Sequence, residues 1–366
     1  MVLNQMNTKA NPNEQLLCAV PLMLQWFAEN QRDLPWRRDR IPYHVWLSEI
    51  MLQQTRVEAV KPYYTRFLAA LPDIQALSTC EHDTLMKLWE GLGYYSRARN
   101  LQKAAQQVMQ EHGGEFPHTY EEIRALAGIG DYTAGAISSI CFDLPEPAVD
   151  GNVLRVYTRL FADARCTDEP AVKRDIRQQL REVYADTPAG TRGTLTQALM
   201  ELGATVCVPN GAPHCECCPV RELCEARRCD TVSQYPVRKE KKSRKHEDYT
   251  VYILQCGEKI AVQKRPDTGL LAGLWELPHL DGKRKAQQAI DDIADWHTGA
   301  AELISMRNCT HIFTHIEWHM TAVHLLVTHM PERFTWVTPE QLAAETALPT
   351  AFRICLPEAI PDSNMN

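Results

Sequence analysis

Residues 126–134 read LAGIGDYTA, and the stretches on either side carry helical spacing of their apolar residues. Gly128 and Gly130 permit a tight backbone turn, so the segment predicts two helices joined by a short hairpin. Such a turn presents backbone N–H groups at the start of the second helix, where a phosphate can bind. An ordinary helix–turn–helix connection explains the glycines equally well, so the segment taken alone predicts a fold and leaves its ligand open.

The helical spacing extends far beyond the hairpin. Apolar residues recur at intervals of three and four from about residue 14 to 205, punctuated by Gly, Pro, Asp and Asn. The clearest runs are 21–27, 45–57, 85–89, 153–161, 172–184 and 195–202. The spacing therefore predicts an all-helical domain over residues 1–235, which ends in a group of cysteines.

A basic segment, PVRKEKKSRKHED at 236–248, follows the helical domain. Its composition predicts a solvated linker, and a linker that faces DNA is a compatible alternative. The pattern then changes to short strand-like runs, which are 249–254, 259–264, 303–306 and 319–328. One helix is predicted at about 283–296 and another after Pro339, so residues 249–366 are interpreted as a separate α+β domain.

Length and composition agree with two soluble domains. The chain has 366 residues, of which 45% are hydrophobic and 23% charged. No stretch approaches the ~20 apolar residues of a membrane span, and the first residues do not resemble a signal peptide, so we expect a cytoplasmic protein that does not bind membranes. The formal net charge of −7 says little about nucleic acid, because binding depends on local basic faces.

Six of the 13 cysteines lie between Cys207 and Cys229. Four of them have the spacing C-x7-C-x2-C-x5-C, namely Cys207, Cys215, Cys218 and Cys224. Four thiolates can hold either zinc or a [4Fe–4S] cluster. The single tight pair favours iron–sulfur over the two paired knuckles of a structural zinc site. Cys217 and Cys229 are left over, and either can substitute as a ligand.

Two carboxylates are candidates for catalysis. Glu49 lies in the helical run WLSEIMLQQTRV at 46–57 among apolar neighbours, where burial raises the pKa of a carboxyl group and makes it a general acid. Asp150, in VDGNV at 149–153, precedes a helix whose N–H groups and dipole keep a carboxylate ionised. An exposed glutamate and a plain helix cap are the simpler interpretations. Together, the two carboxyls fit the division of labour that glycosidic cleavage needs.

These segments together resemble the endonuclease III superfamily of DNA glycosylases, which contain a helix-hairpin-helix motif, and its MutY-type branch in particular. The resemblance extends from about Leu34 to the end of the chain. The matching motifs are LPWR at 34–37, the Glu49 segment, GLGYYSRARNL at 91–101, the hairpin, VDGNV, QALMELGA at 197–204 and the cysteines. The chain departs from the usual pattern by one extra residue between its first two cysteines.

The resemblance implies a role for each matching residue. Glu49 and Asp150 match the catalytic pair, supported by Asn152 and Tyr132. Gln54, Thr55, Leu92 and Tyr94 match residues that enter the duplex, and Arg37 and Glu201 match the adenine pocket. Gly128 and Gly130 match the hairpin that contacts the DNA backbone. The [4Fe–4S] ligands of the family are matched by Cys207, Cys215, Cys218 and Cys224. Tyr132 stands where bifunctional relatives carry a lysine nucleophile, which implies a monofunctional enzyme.

The second domain resembles the Nudix-related domain of MutY-type enzymes. QKRPDTGLLAGLWELP at 263–278 matches its opening, and HIFTHIEW at 311–318 resembles the loop that inspects 8-oxoguanine. The loop residues are Phe313, Thr314 and His315, with threonine where serine is usual. A strand turn with Phe313 in the core is the alternative. The helix at 283–296 lacks the paired glutamates of Nudix hydrolases, so we expect no hydrolysis of nucleotides.

The resemblance implies a base excision repair enzyme that hydrolyses the N-glycosidic bond of adenine opposite 8-oxoguanine or guanine. Its implied partner is duplex DNA, and a nucleoid-associated monomer is expected. The alternatives are a related glycosylase for another base, a DNA damage sensor without activity, and an iron–sulfur electron carrier. Tyr132 and the second domain argue against a glycosylase for another base. The two carboxylates argue against an inactive damage sensor, and the DNA-binding motifs argue against an electron carrier.

Overall fold

The computed structural model describes residues 12–240 and 243–357. The chain folds into two compact units, Met1–Thr79 with Arg99–Glu240 and Cys80–Ala98 with Lys241–Asn366. The sequence predicts that residues 80–98 belong to the helical domain, whereas the structure groups them with the second unit. In the described part of the chain, no helix is sufficiently long and apolar to cross a bilayer.

The first unit is helical throughout its described residues, as the sequence predicts. The helices from the N-terminus to the cysteines are α1 (Pro12–Asn30), α2 (Pro42–Leu52), α3 (Val57–Ala70), α4 (Ile74–Thr79), α5 (His82–Leu88), α6 (Ser96–Glu111), α7 (Tyr120–Ala125), α8 (Asp131–Phe142), α9 (Gly151–Phe161), α10 (Pro170–Asp186), α11 (Arg192–Thr205) and α12 (Glu225–Arg228). Of these, α5 and the beginning of α6 belong to the second unit.

One core of the first unit joins α1, α9, α10 and α11. Along α9, Val153, Val156, Tyr157 and Leu160 recur at three and four and are all at most 5% exposed. Burying such a side chain stabilises the fold by about 1.5–3 kcal/mol. This apolar face of α9 fixes the direction of its N-terminus, where the predicted residue Asp150 lies.

One helical run ends earlier than predicted. The apolar spacing predicts a continuous run over 45–57, but α2 ends at Leu52 and α3 begins at Val57. Gln54 between them has a left-handed φ of +59°, a conformation that costs a non-glycine residue about 1–3 kcal/mol. The apolar spacing continues across this turn, so periodicity alone does not reveal it.

The second unit contains a mixed sheet. Its further elements are β1 (Lys245–Cys256), β2 (Lys259–Lys264), β3 (Trp275–Glu276), β4 (His279–Asp281), α13 (Ala286–Asp292), β5 (Ala301–Ile312), β6 (Ile316–Val327), β7 (Thr335–Val337), α14 (Pro339–Ala344) and α15 (Thr350–Arg353). The main strand order is β3-β2-β1-β6-β5, in which β1 and β6 are parallel and the other pairs antiparallel. The predicted α+β class is confirmed.

Both faces of the sheet are covered near the middle of β1. Val251 and Ile253 belong to one core, and Tyr252 and Leu254 belong to the other. Alternate side chains of a strand point to opposite faces, so a continuous apolar run is what a strand between two cores requires. Towards its N-terminal end β1 becomes polar and more exposed.

The predicted linker 236–248 is only partly a linker. β1 begins at Lys245, so the last residues of the basic segment form a strand. Earlier in it, Arg238 and Lys239 form ion pairs with Asp168 and Glu169, at 2.9 and 2.7 Å, and these basic groups are held against the helical unit. Lys241 and Lys242 lie outside the described residues.

Candidate active site

The helical unit contains a cavity of about 600 Å³. Eight of the predicted site residues line it, namely Arg37, Glu49, Gln54, Thr55, Tyr132, Asp150, Asn152 and Glu201. They come from α2, from the turn after it, from the 3₁₀ turn before it, and from α8, α9 and α11. Segments far apart in sequence therefore converge on one space, as is typical of a small-molecule binding site.

Glu49 is buried in the wall of this cavity and is 6% exposed. Burial raises its pKa to about 7, and the nearby charge of Asp150 adds to this effect, while a hydrogen bond from Tyr132 opposes it. The Tyr132 hydroxyl donates to Glu49 Oε2 at 2.5 Å. A substantial fraction of Glu49 is thus protonated near neutral pH, which confirms the expectation drawn from its apolar neighbours.

Asp150 is the N-cap of α9, as predicted. Its Oδ1 accepts from the Val153 backbone N–H at 2.8 Å, and its Oδ2 accepts from Asn152 Nδ2 at 2.7 Å. Burial raises the pKa of Asp150, and these hydrogen bonds favour the ionised form as expected but offset only part of the effect of burial. The short sequence VDGNV reveals the cap but not the depth at which the cap is buried.

A glycine on α11 brings the two halves of the site together. A Cβ at Gly203 would lie 2.5 Å from Asn152 Cβ, so only glycine allows α11 to pack this closely on the start of α9. Arg155, one turn further along α9, donates to the Gly203 carbonyl at 2.6 Å and to Asn152 Oδ1 at 2.8 Å. Arg155 was not predicted, although its i+3 position relative to Asn152 is a detectable signal.

Glu201 on α11 is buried beside two arginines, only one of which was predicted. Arg32 donates to it through Nε and Nη2, both at 2.7 Å, and Arg37 donates through Nη2 at 2.8 Å. Burial alone would raise the pKa of Glu201, but the bonds from Arg32 and Arg37 outweigh burial and hold the pKa at about 2. Glu201 is therefore a fixed anion, and Arg32 is an additional member of the site.

The predicted hairpin joins α7 to α8. Gly128 has a φ of +74°, and a Cβ there would lie 2.6 Å from Asn100 Cβ, so this position requires glycine. Gly130 is the extended N-cap of α8, with φ −94°, and has open space around it. Both glycines therefore lie in the connection between α7 and α8, as predicted, but only Gly128 has a backbone conformation that requires glycine, and the exposed backbone of Gly130 leaves room for a ligand at the start of α8.

The four regularly spaced cysteines line one pocket, together with Arg159 of α9. Arg159 Nη1 donates to Cys207 Sγ at 3.3 Å, which places a positive charge where thiolates would gather. Cys217 and Cys229 are exposed and do not line this pocket. The structure thus separates the regularly spaced cysteines from the two left over, a distinction that the sequence left open.

The spacing of the four sulfur atoms is wider than a zinc site requires. Sulfurs around one tetrahedral zinc lie about 3.8 Å apart, because each Zn–S bond is about 2.3 Å. Within residues 12–240 and 243–357, three or more ligand atoms of His, Cys, Asp or Glu lie within 4.8 Å of one another in one group, and this group contains none of these cysteines. No three of the four sulfur atoms therefore lie within 4.8 Å of one another. A larger, multinuclear centre fits the pocket better than a single ion.

The remaining predicted residues lie in the second unit. Tyr94, in the turn between α5 and α6, is 43% exposed and has a φ of +47°. Leu92 in the same turn is 6% exposed, so of the two predicted residues only Tyr94 is presented to a ligand. Arg97 Nη2 donates to the carbonyls of Leu92 and Gly93 at 3.0 and 3.1 Å and thereby holds the turn.

Phe313, Thr314 and His315 form the loop between β5 and β6. Phe313 packs edge-on against Trp318, with 4.8 Å between ring centroids, and is partly buried against one core of the sheet. Phe313 is therefore partly a core residue, as the alternative interpretation of this loop expects. Thr314 and His315 are exposed, and Thr314 Oγ1 lies 2.6 Å from the Tyr94 hydroxyl.

Comparison with known proteins first defines the class. Residues 47–182 match the family described as HhH-GPD superfamily base excision DNA repair protein, and residues 249–358 match the NUDIX domain family. The fold of the helical unit is found in a thermostable thymine-DNA glycosylase, with 26% identity and a TM-score of 0.53 over 59% of this chain and 98% of that one. Endonuclease III in a complex with DNA has the same fold at a TM-score of 0.50, with 22% identity over 60% of this chain and 97% of that one.

The particular family follows from full-length relatives. The adenine DNA glycosylase of Mus musculus is 35% identical over 91% of this chain and 76% of its own length. That of Homo sapiens is 34% identical, over 91% and 73%, and that of Schizosaccharomyces pombe is 32% identical, over 87% and 85%. The chain belongs to the adenine DNA glycosylase family, whose members remove adenine in base excision repair.

Proposed function

We propose that this enzyme hydrolyses the N-glycosidic bond of adenine that stands opposite 8-oxoguanine or guanine in duplex DNA. The observation that carries the proposal is the cavity of about 600 Å³ in which a buried Glu49, with a pKa of about 7, faces Asp150. One carboxyl that is protonated near neutrality and a second that is hydrogen-bonded at a helix N-terminus are the two groups this reaction needs.

The adenine must leave the base stack before it can reach these groups, at a cost of a few kcal/mol of stacking. Gln54 is exposed in its left-handed turn at the rim of the cavity, with Thr55 beside it. A side chain inserted there fills the space of the extruded base. Tyr94, exposed in its own left-handed turn, is proposed to act in the same way near the mispair, together with Leu92 of the same turn. The hairpin with Gly128 and Gly130 is proposed to hold a phosphate at the start of α8.

Glu49 acts first as an acid. Its proton passes to N7 of the adenine, while the C1′–N9 bond breaks and its electron pair leaves with the base. The Tyr132 hydroxyl, at 2.5 Å from Glu49 Oε2, holds the carboxyl in position and stabilises the carboxylate that remains. Since Tyr132 carries no amine, a Schiff base cannot form at this position, and the reaction stops at base removal.

Asp150 stabilises the positive charge that develops on the sugar, or captures C1′ covalently. Asn152 holds its Oδ2, and the Val153 N–H holds its Oδ1, so the carboxylate is oriented before the substrate arrives. The Glu49 carboxylate then takes a proton from water, whose oxygen attacks C1′ and leaves an abasic site.

The base itself is proposed to bind beside Glu201 and Arg37. Glu201 stays ionised because Arg32 and Arg37 donate to it, so this wall of the cavity offers the base a fixed group of paired charges. Opposite the adenine, the exposed Thr314 and His315 are proposed to recognise 8-oxoguanine, with Phe313 fixing the loop by packing on Trp318.

The pocket lined by Cys207, Cys215, Cys218 and Cys224 is proposed to hold a [4Fe–4S] cluster. No three of its sulfur atoms lie within 4.8 Å of one another, which favours a multinuclear centre, and Arg159 beside Cys207 offsets the negative charge of the thiolates. When bound, the cluster cross-links the segment after α11, whose own secondary structure consists of short helical turns. We further propose that the enzyme acts on duplex DNA as a monomer in the cytoplasm, at the nucleoid.

The test is single-turnover release of free base from four duplexes, with adenine opposite 8-oxoguanine, guanine, cytosine or thymine. The proposal predicts fast release opposite 8-oxoguanine, slower release opposite guanine, and little or none opposite thymine. Equal rates on all four duplexes contradict recognition of the opposite base. Tight binding without any release contradicts the catalytic assignment and returns the protein to the class of damage sensors.

A further inference from the structure

The parallel pairing of β1 and β6 brings two histidines and a glutamate together in the second unit. His246 lies opposite Glu317 in the register, and His319 follows two residues later on β6. Residues in register, and those two apart on a strand, project from the same face of a sheet. The three side chains therefore meet on one face, at the polar N-terminal end of β1.

Their ligand atoms are closely grouped. His246 Nδ1 lies 3.1 Å from His319 Nε2, which in turn lies 3.1 Å from Glu317 Oε1. All three atoms fall within 4.8 Å of one another, and the two rings are stacked with centroids 5.3 Å apart. Around a tetrahedral zinc ion, with bonds of about 2.0–2.2 Å, neighbouring nitrogen and oxygen ligands are about 3.3–3.5 Å apart. The preformed spacing is close to this value.

We propose that His246, Glu317 and His319 bind one divalent transition-metal ion, and that zinc is the occupant. Imidazole nitrogens are preferred by zinc and similar ions, whereas Mg²⁺ and Ca²⁺ are bound mainly by oxygen. Three protein ligands leave the fourth position to water. Asp248 is in register with His319, but its carboxylate pairs with Lys283 Nζ at 3.1 Å, so we do not include it among the ligands.

The metal would fasten the base of the Phe313–His315 loop. β6 begins at Ile316, directly after the loop, and Lys245 N–H donates to the His315 carbonyl at 3.0 Å. An ion bound between His246 and His319 links the same two strands a few residues further on. Its removal is therefore expected to loosen the loop. Metal binding itself does not depend on the glycosylase chemistry.

The test is the metal content of the full-length, iron-containing protein. Each sample is equilibrated by dialysis against a buffer with micromolar zinc, and its zinc and iron are then measured by mass spectrometry. The variants are His246→Ala, His319→Ala and Glu317→Gln, with His329→Ala as the matched control, because His329 is an exposed histidine of the same unit outside the cluster. Zinc bound by exposed thiols such as Cys217 is common to all samples and cancels in the differences.

Wild type and His329→Ala are expected to hold one zinc per chain more than His246→Ala and His319→Ala, at the same iron content. Glu317→Gln is expected to weaken zinc binding, which a competition with a chelator measures. Equal zinc in all samples, or a loss confined to one of the two histidine variants, overturns the proposal. His246 is exposed at the beginning of its strand, so its truncation should leave a folded protein in which the test is decisive.

Discussion

Tyr94 and Thr314 form a hydrogen bond of 2.6 Å between their side-chain oxygens, although 220 residues separate them in sequence. Tyr94 belongs to the turn between α5 and α6, and Thr314 to the loop between β5 and β6. The sequence resemblance assigns the first to penetration of the duplex and the second to inspection of 8-oxoguanine. Under the proposed function, this direct contact couples the two tasks within the second unit.

The contact between Tyr94 and Thr314 predicts that the effects of Tyr94→Phe and Thr314→Val on substrate preference are not additive. Each removes the same hydrogen bond, worth about 1 kcal/mol or fivefold in rate. The double variant should therefore lose about as much as either single variant in its preference for 8-oxoguanine over guanine. The measurement is the ratio of single-turnover rates on the two duplexes. As a control, Tyr94→Phe combined with Thr328→Val, in the same unit but outside the loop, should be additive.

The pKa of about 7 at Glu49 predicts how base release depends on pH. The acid is present below this pKa and is lost as the pH rises through it, so the single-turnover rate should fall about tenfold per pH unit at higher pH. At low pH the raised pKa of Asp150 adds a second loss, because its protonated form no longer stabilises a cation. A rate that stays constant from neutral to clearly alkaline pH argues against Glu49 as the acid.

The burial of Glu49, which raises its pKa for catalysis, is also predicted to lower the stability of the protein when Glu49 is ionised. Its pKa is 4.5 when unfolded and about 7 when folded, so the free energy of unfolding falls as the pH rises between these values. At about 1.4 kcal/mol per pH unit, the loss by pH 8 is about 3 kcal/mol. Glu49→Gln cannot ionise, and should be more stable than wild type at pH 8 but little different near pH 4. Thermal melts at the two pH values measure this, and a difference independent of pH contradicts it.

Arg32, which the sequence did not identify, is predicted to contribute as much as Arg37 to keeping Glu201 ionised. Arg32→Ala leaves the buried Glu201 with Arg37 as its remaining arginine partner, which should cost about 1–3 kcal/mol of stability and raise the pKa of Glu201. Arg32→Lys keeps the charge but loses the paired Nε and Nη2 bonds, so it should rescue only part of the effect. Melting temperature and adenine release are the measurements. Wild-type values in Arg32→Ala would falsify the assignment.

The cysteines allow a matched comparison. Serine at Cys218 or Cys224 should remove iron and the brown colour, whereas serine at the exposed Cys217 or Cys229 should leave both unchanged. Iron content per chain is the measurement. Equal loss in Cys217→Ser would show that the ligand set differs from the one proposed.

Much of the site was predictable because its residues lie in short local motifs. Glu49 among apolar neighbours, Asp150 before a helix and the cysteine spacing are all visible over a few residues of sequence. Gly203 and Arg32 were not predicted, since the first acts through the close approach of two helices and the second through a partner 169 residues away. Such long-range contacts leave no periodic signal in a single sequence.

The strands and helices were predicted better than their ends. β2 was found at the predicted residues 259–264, because its apolar run is bounded on both sides by charged or glycine residues. The turn at Gln54 was missed, since left-handed backbone at a glutamine is not indicated by residue type. The raised pKa of Asp150 was missed because it depends on burial, which the cap motif does not specify.

The most direct test of the account is single-turnover adenine release from the 8-oxoguanine duplex by Glu49→Gln, beside wild type and Glu182→Gln. Glu182 is an exposed glutamate of the same unit, and its variant should match wild type. Glu49→Gln is expected to bind the duplex normally and to release no adenine above background. Release at the wild-type rate would contradict the central claim that Glu49 protonates the departing base.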